Sequence, residues 1–478
     1  MLIKLIKDQF HLMSRARNKR YNLGRNTYHT SQGVLSLSNE KSISRREFLE
    51  KAGKAGLVVL GMATPGFLAA CSAVTNQTGK SGAAGGSQEK VKLTFARQGN
   101  GQDKSAWDAL LKQFMDQNPD IEVQLIYVPG SDWDDYFNKV SVMIAGGTPP
   151  DVAHIAIEGT QLFVKKNMAI ELTPYMKNDP VDKLDDIHPN IQKAFIIDGK
   201  YFGLPFTWNN RVMYFNTKML GEAKLELPPP TWNLDDFFRY CKELTRDSNG
   251  KKQFGYQFKV RMIDNEQWLY SNGAAIFNDD MTKCTLNDPA CVESFQFFHD
   301  LIYKYKYAPT PSEVGAMGDP FLTQNVAMAA AGYSPVTGYL DQKFTDFNIQ
   351  SMPTLKKPST IYGVDGFMIM KDSKHPNETW KFIKFLNSAA AQTQLFSSGI
   401  PSRKSVAEEQ IPKKPPQNGK LYYESAEVAR PVQAPPTFNK LNDVYTRVLG
   451  SVFANEVELK KGLDYATSEM QKILDKGL

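Results

Sequence analysis

Residues 91–157 read VKLTFARQGNGQDKSAWDALLKQFMDQNPDIEVQLIYVPGSDWDDYFNKVSVMIAGGTPPDVAHIAI, and this stretch decides the fold class. Residues 91–95, 121–127 and 152–157 are rich in apolar and β-branched side chains, which predicts three strands. A helix is expected over 134–144, and an earlier helix has apolar residues at helical spacing: Trp107, Leu110, Leu111, Phe114 and Met115. Strands that alternate with helices predict an α/β fold with a largely parallel sheet.

A second stretch of the same character runs from residue 212 to about 362. Asn287-Asp288-Pro289 predicts the start of a helix, because proline is well tolerated in the first turn. The closing helical region keeps five apolar residues on one face: Leu459, Leu463, Ala466, Met470 and Ile473. About 400 residues after the leader imply more than one domain, or one fold with two lobes.

An export signal precedes the folded part. Residues 44–71 read SRREFLEKAGKAGLVVLGMATPGFLAAC, with paired Arg45 and Arg46, an apolar run over 57–70 and a final Cys71. A membrane-spanning helix needs roughly 20 apolar residues, so this run is too short to stay as an anchor. The first six residues resemble the twin-arginine export motif, and residues 68–71 resemble a lipobox. We therefore expect cleavage after residue 70 and a lipid on Cys71, on the outer face of the membrane.

Two further segments flank this signal. Residues 72–90 are small, polar and rich in Gly and Ser, so we expect a flexible tether between Cys71 and the folded part. Residues 1–43 do not suit a twin-arginine signal, whose leading region is usually short. We hypothesise that translation starts nearer Val34, Leu35 or Leu37; a precursor peptide that begins at Met1 would contradict this.

The charge of the chain is concentrated in its leader. The formal net charge is +6, but residues 1–70 hold twelve of the 57 Lys and Arg and four of the 51 Asp and Glu. The remainder therefore has 45 basic and 47 acidic residues, a formal charge near −2. No net basic charge then favours nucleic acid as a partner.

Cysteine is sparse beyond the lipid site. Cys284 and Cys291 are close enough in sequence for a disulfide in an exported protein, whereas Cys241 has no obvious partner. The alternative is that all three are buried free thiols. No motif for a metal or a cofactor is apparent.

Several short motifs, in their order and spacing, resemble the extracellular solute-binding proteins of ABC importers, in the carbohydrate-binding branch that includes maltose-binding protein. The motifs are residues 147–152 (GTPPDV), 203–206 (GLPF), 213–220 (MYFNTKML), 230–232 (PTW), 268–273 (WLYSNG), 325–328 (NVAM) and 399–403 (GIPSR). The resemblance implies a two-lobed, type II periplasmic-binding-protein-like fold with a ligand cleft between lobes joined by three crossovers. Mapped on this chain, lobe 1 would be 91–208 plus 366–405, and lobe 2 would be 209–365 plus 406–478.

A sugar needs directed hydrogen bonds for its hydroxyls and flat aromatic rings for its C–H faces. The loop after the first strand offers four polar candidates: Arg97, Gln98, Asn100 and Asp103. This loop is not a phosphate-binding P-loop, because Asp103 stands where the second glycine would precede Lys104. The resemblance adds Glu158 as a sugar-binding carboxylate, and it places Trp208, Asn209 and Asn210 at the first crossover.

Three candidates remain in and beyond the second lobe. Trp268 could stack on a pyranose or belong to a helix core. Family members often carry a stacking Trp after the glycine that corresponds to Gly332; here Tyr333 and Ser334 follow it, so Tyr333 is the substitute. Asp365 lies between Gly363 and Gly366 in the return crossover, where it could contact a ligand or form a hinge salt bridge.

The expected function is capture without chemistry: a monomeric receptor, not an enzyme, that closes on a carbohydrate and delivers it to a membrane permease. One alternative is an exported glycoside hydrolase, although no acid and nucleophile pair stands out in the sequence. A second alternative is a receptor for a cationic solute such as a polyamine or peptide. Such a receptor would need Asp103, Glu158 and Asp365 turned together into the cleft.

Overall fold

Two separate β-sheets form the framework of the chain. The computed structural model describes residues 89–99, 101, 103–130, 133–248, 251–396 and 399–478. These residues belong to the compact unit Gly85–Leu478. The predicted export signal, with Arg45 and Arg46, and the lipid site Cys71 therefore lie outside the described residues, as does Asn100.

The strands are numbered in chain order. They are β1 (Val91–Gln98), β2 (Ile121–Val128), β3 (Val152–Ala156), β4 (Ile196–Ile197), β5 (Lys200–Tyr201), β6 (Leu204–Asn210), β7 (Val212–Asn216), β8 (Arg246–Ser248), β9 (Lys251–Gln257), β10 (Val326–Ala331), β11 (Phe347–Gln350), β12 (Thr360–Ile369), β13 (Ile400–Pro401) and β14 (Ala429–Pro431).

The α-helices follow the same convention. They are α1 (Lys104–Gln117), α2 (Trp133–Ala145), α3 (Ile157–Lys165), α4 (Thr173–Asn178), α5 (Pro189–Gln192), α6 (Thr217–Glu222), α7 (Leu234–Leu244), α8 (Met262–Ser271), α9 (Pro289–Tyr303), α10 (Pro311–Gly315), α11 (Val336–Asp341), α12 (Pro376–Leu386), α13 (Ala389–Gln394), α14 (Lys404–Gln410), α15 (Leu421–Glu424), α16 (Phe438–Phe453) and α17 (Leu459–Lys476). Short 3₁₀ turns cover Leu184–Asp186, Lys193–Phe195, Ile411–Lys413 and Ser425–Glu427.

The first sheet has the strand order β13-β6-β12-β3-β1-β2, and β14 pairs with the first three residues of β12. Strands β1, β2 and β3 are parallel, as predicted, but β12 runs antiparallel to both β3 and β6. The expectation of a largely parallel sheet is therefore wrong for the half of this sheet that contains β12. The reason is that the chain returns from the second sheet to the first through β12. This strand therefore runs opposite to β6, through which the chain leaves the first sheet.

The second sheet has the order β11-β7-β10-β9-β8. It is mixed as well: β9 and β10 are parallel, whereas β7 is antiparallel to β10 and β11. Strand β6 ends at Asn210 in the first sheet and β7 begins at Val212 in the second. Arg211 is therefore the residue at which the chain passes from one sheet to the other.

Local sequence explains where these elements begin and which faces they bury. In α1 the buried residues are Trp107, Leu110, Leu111 and Phe114, as the spacing predicted. Helix α7 begins with a capping box in which Asn233 and Asp236 bond each other's backbone N–H groups. Helix α9 starts at Pro289, at the predicted position, and α17 buries Leu459, Leu463, Ala466 and Met470. Ile473 is only partly buried against that core.

Each sheet supports its own core. Phe95, Trp107 and Phe367 pack edge to face or tilted in the first lobe, and a separate aromatic cluster fills the second. The predicted boundaries of the lobes stay a prediction; the strands of the first sheet come from 91–210, 360–369, 400–401 and 429–431. In the described part of the chain, no helix combines the length and apolarity that a membrane span requires.

The three cysteines beyond the leader are free and buried. Burial raises the pKa of Cys284 to about 11 and that of Cys291 to about 12. The Cys291 thiol donates to the carbonyl of Ala275 at 3.2 Å. Of the two alternatives left by the sequence, the structure has the buried thiols rather than the disulfide.

Candidate functional site

The crossover strand β6 presents two different faces. Thr207, Asn209 and Arg211 are half-buried, whereas Trp208 is 3% exposed and Asn210 is fully buried. This alternation follows from the two-residue period of a strand. The three half-buried side chains make up what we call the front face of the crossover, and the other two make up its back face.

Asp365 lies on the front face, opposite Thr207 in the neighbouring strand β12. One carboxylate oxygen accepts a 2.6 Å hydrogen bond from the Thr207 hydroxyl, and the other lies 2.8 Å from Nε2 of His154. Both oxygens are therefore engaged by neighbouring strands of the same sheet. Of the two roles left open for Asp365, the structure has a contact with His154 within the first sheet, which is an ion pair when the imidazole is protonated.

Glu158 stands beside Asp365, in the first turn of α3. Burial raises its pKa, and the nearby charge of Asp365 adds to this effect. Arg261 and Arg211 act in the opposite direction. Glu158 follows a strand of the first sheet and Arg261 follows a strand of the second, so this electrostatic interaction joins residues of the two lobes.

The wall of the second lobe is built around Asp264, which is 94% buried in the first turn of α8. Nε of Arg211 lies 2.7 Å from one oxygen of Asp264, and Arg261 lies 3.4 Å from the other. Burial opposes ionisation of Asp264, but the two arginines outweigh it, so that its pKa is lowered. Lys259 belongs to the same group of charges.

The loop after β1 forms a third group. Arg97 forms a 2.7 Å ion pair with Asp103 and lies over the rings of Trp107 and Tyr127. Asp103 also accepts hydrogen bonds from the Trp107 indole and the Tyr127 hydroxyl, each at 3.2 Å. Burial, followed by the charge of Asp103, raises the pKa of Tyr127 to about 12. Gln98 is half-buried at the end of the same strand.

Asn209 joins the front face to the second lobe. Its side-chain oxygen accepts a 3.0 Å hydrogen bond from the backbone N–H of Tyr333. The Tyr333 ring is 1% exposed and packs against Phe396 and Tyr422. In this conformation Tyr333 therefore contacts the crossover through its backbone N–H, and its ring has no open face for a ligand.

Trp208 and Asn210 point to the back face. The amide of Asn210 donates to the carbonyl of Tyr422 at 2.9 Å and to Ser425. Trp208 lines a pocket of about 250 Å³ with His188, Tyr423 and residues of α14. These two side chains are thus separated by the strand itself from Thr207, Asn209 and Asp365.

Trp268 lies in the core of the second lobe. It is 2% exposed, and its ring packs against Phe237 at 5.1 Å, Phe298 at 4.9 Å and Tyr256 at 5.9 Å. A ring that stacks on a sugar needs an open face. The structure thus favours the helix-core alternative for Trp268.

Sequence reasoning missed four residues of this region: Trp133, His154, Arg211 and Arg261. Trp133 is half-buried at the start of α2, with its ring 5.1 Å from that of His154 and roughly perpendicular to it. A signal was present, because residue 133 follows the end of β2, at the same sheet edge as Gln98 and Glu158. Arg211 could have been found from the two-residue period that begins at Thr207.

A family model described as bacterial extracellular solute-binding protein matches residues 98–393, more than half of the chain. The maltotriose-binding protein of Pyrococcus abyssi is 23% identical over 288 residues, which are 59% of each chain. The diacetylchitobiose-binding protein DasA of Streptomyces coelicolor is 21% identical over 380 residues, 76% of this chain and 83% of DasA.

A solved structure agrees in fold. The ABC substrate-binding protein Lmo0181 of Listeria monocytogenes, in complex with cycloalternan, superposes with a TM-score of 0.72 at 24% identity, covering 80% of this chain and 99% of that one. A maltose-bound MalE3 of T. maritima gives 0.67 at 20% identity, covering 80% and 99%. The fold is thus the two-lobed α/β fold of type II periplasmic binding proteins.

Proposed function

We infer that this chain, which belongs to the family of bacterial extracellular solute-binding proteins, captures a carbohydrate outside the cell and delivers it to an ABC permease. Relatives whose names specify a ligand bind maltotriose or diacetylchitobiose, and similar structures hold cycloalternan or maltose. Carbohydrate is therefore the ligand class that the relatives favour, and the chemistry of the cleft agrees with it.

The observation that carries this proposal is the state of the three carboxylates that a cationic ligand would need. Asp103 is paired with Arg97, Asp365 is hydrogen-bonded to His154 and Thr207, and burial raises the pKa of Glu158, which disfavours its charged form. None of them is left to neutralise a polyamine. The front face instead offers the hydroxyl of Thr207 and the amide of Asn209, which suit hydroxyl groups.

Capture requires no covalent step. Ligand drives closure only by its extra affinity for the closed state, in which groups of both lobes contact it. We expect Glu158 to contribute from the first lobe and Arg261 from the second. Closure then creates the surface that a permease recognises.

The test is a thermal-shift screen of the mature chain against mono- and oligosaccharides, amino acids and polyamines. A ligand at about 100 times its Kd adds roughly 2.7 kcal/mol of stability, which is a readily detected shift. The ligand found is then examined by solution scattering, which should show compaction, and recovered for mass analysis, which should find it unaltered. Stabilisation by polyamines alone would contradict the proposal, and a cleaved glycoside would favour the hydrolase.

Trp133→Ala should weaken saccharide binding by a factor of roughly 2 to 10. One face of the half-buried indole stacks on Phe137, and we expect the rest of the ring to contact the C–H face of the sugar, a ring contact worth about 0.5–1.5 kcal/mol. Since Trp133 is only half-buried, the variant should stay folded. Isothermal titration calorimetry measures the affinity, and circular dichroism checks the fold. Unchanged affinity would place Trp133 outside the site.

We also propose that the protein is exported through the signal over 44–70 and held at the membrane by lipid on Cys71. Cys71→Ser should release the protein from the membrane fraction into the medium, because one polar residue replaces the acylated thiol. Cell fractionation measures the distribution, and mass spectrometry of the N-terminal peptide detects the acyl chains. A membrane-bound Cys71→Ser protein would contradict the lipid anchor.

A further inference from the structure

Positive charge is in excess on the wall of the second lobe. Arg211 and Arg261 both pair with the single carboxylate of Asp264, at 2.7 and 3.4 Å. Arg211 is 14% exposed at its side chain, whereas Arg261 is 61% exposed, and the charge of each lowers the pKa of Glu158 in the first lobe. One buried carboxylate thus serves two guanidinium groups.

Lys259 adds a third cation to this group. It lies on the segment after β9, where its carbonyl accepts a 2.8 Å hydrogen bond from the Asn265 amide. The residue is half-buried, and its ammonium group forms no ion pair within the part of the chain that the structure describes. Burial lowers the pKa of Lys259, and the neighbouring Arg211 and Arg261 contribute to this, although Asp264 opposes it.

The other acidic groups nearby balance this charge only in part. Asp319 acts on Lys259 but forms no ion pair with it in the described residues; its carboxylate accepts hydrogen bonds from the N–H groups of Phe321 and Leu322 and from Tyr339. Burial raises the pKa of Glu158 and of the fully buried Glu266, so each is a weaker counter-ion than an exposed carboxylate. A half-buried cation without an ion-pair partner, as at Lys259, is costly, which makes this wall complementary to an incoming anion.

We propose that the ligand is an acidic carbohydrate, with a carboxylate held by Lys259, Arg261 and Arg211 on the wall of the second lobe. The proposal rests on the carbohydrate-binding function inferred above and specifies the class of sugar. The sugar hydroxyls would lie toward Thr207 and Asn209 on the front face. Arg261, the most exposed of the three cations, would be the first to meet the ligand.

The experiment compares matched acidic and neutral sugars by calorimetry on the mature chain. The probes are galacturonate against galactose, glucuronate against glucose, and digalacturonate against maltose and cellobiose. The acidic sugar of at least one pair should bind roughly tenfold more tightly or better. This preference should shrink when the ionic strength is raised to about 0.5 M, because salt screens charge–charge attraction.

Lys259→Met removes the charge but keeps most of the side-chain volume. It should weaken binding of the acidic sugar roughly tenfold and change binding of the neutral sugar less than about threefold. Without ligand, its thermal midpoint should equal or exceed that of the wild type, because an uncompensated ammonium is gone. Lys242→Met, at an exposed site on α7, is the matched control and should change neither sugar. Arg261→Gln provides a second variant at a more exposed site and should show the same selective loss.

The outcomes separate the two proposals. Neutral sugars that bind as tightly as acidic ones, at every ionic strength, would overturn the acidic-sugar inference and leave carbohydrate capture standing. An acidic preference that survives in both variants would also overturn the assignment to this wall. Absence of binding by any saccharide would contradict the proposed function itself, and the acidic-sugar inference with it.

Discussion

Trp268→Ala is expected to lower the free energy of unfolding by about 3–5 kcal/mol, the usual cost of removing a large aromatic side chain from a packed core. The indole packs against Phe237, Tyr256 and Phe298, and it is 2% exposed. Removing it leaves a cavity that three rigid rings cannot fill. Urea denaturation, followed by circular dichroism, measures the loss.

The same variant also decides between the two roles that sequence allowed for Trp268. Binding measured well below the unfolding transition should change less than about twofold, because no open ring face is lost. Trp133→Ala is the matched comparison, since it should lose affinity with a smaller loss of stability. If the Trp268→Ala protein had normal stability and weakened binding, Trp268 would instead be a ligand-contacting residue of the cleft.

Asp264→Ala is expected to destabilise the protein by about 3–5 kcal/mol, because removing one partner of a buried ion pair leaves an uncompensated charge. Here the loss is shared by Arg211 and Arg261, with Lys259 nearby. The lowered pKa of Asp264 gives the sign of the pH dependence. Its contribution is present above the ordinary pKa of an aspartate and is lost as the pH falls through the lower folded value.

Two further variants test whether Asp264 stabilises the fold as the partner in a buried ion pair. The double variant Asp264→Leu/Arg211→Met should recover part of the stability, since apolar residues can replace a buried pair. Glu243→Ala, which removes a 4.0 Å surface ion pair with Arg239, should cost at most about 1 kcal/mol. If Asp264→Ala costs no more than Glu243→Ala, the pair with Arg211 is not a buried one.

Local patterns predicted the elements of this fold better than their directions. Helix α1 has the predicted buried face, and α9 begins at the predicted proline. Periodicity cannot show that β12 returns antiparallel beside β3 and β6, because that depends on a path through the other sheet. The resemblance to a known family supplied the two lobes, which composition alone did not.

Adjacency in the sequence does not predict which residues of the candidate site share a face. The sequence places three consecutive candidates at the crossover, Trp208, Asn209 and Asn210. A strand, however, sends neighbouring side chains to opposite faces. Asn209 faces Tyr333, whereas Asn210 bonds Tyr422 on the other side. Arg211, one step beyond the group, shares the face of Asn209. His154 and Arg261 acquire their partners only in three dimensions, so no local pattern reveals them.

The back face of β6 has a practical use. Trp208 is nearly enclosed there, beside Tyr423 and His188, and the strand screens it from the ligand side. A rotation at the crossover should alter the surroundings of this indole, whereas a ligand on the front face cannot touch it. Trp208 is thus a built-in fluorescent reporter of the hinge angle, with no attached dye, once the emission of the other five tryptophans is subtracted with a Trp208→Phe control.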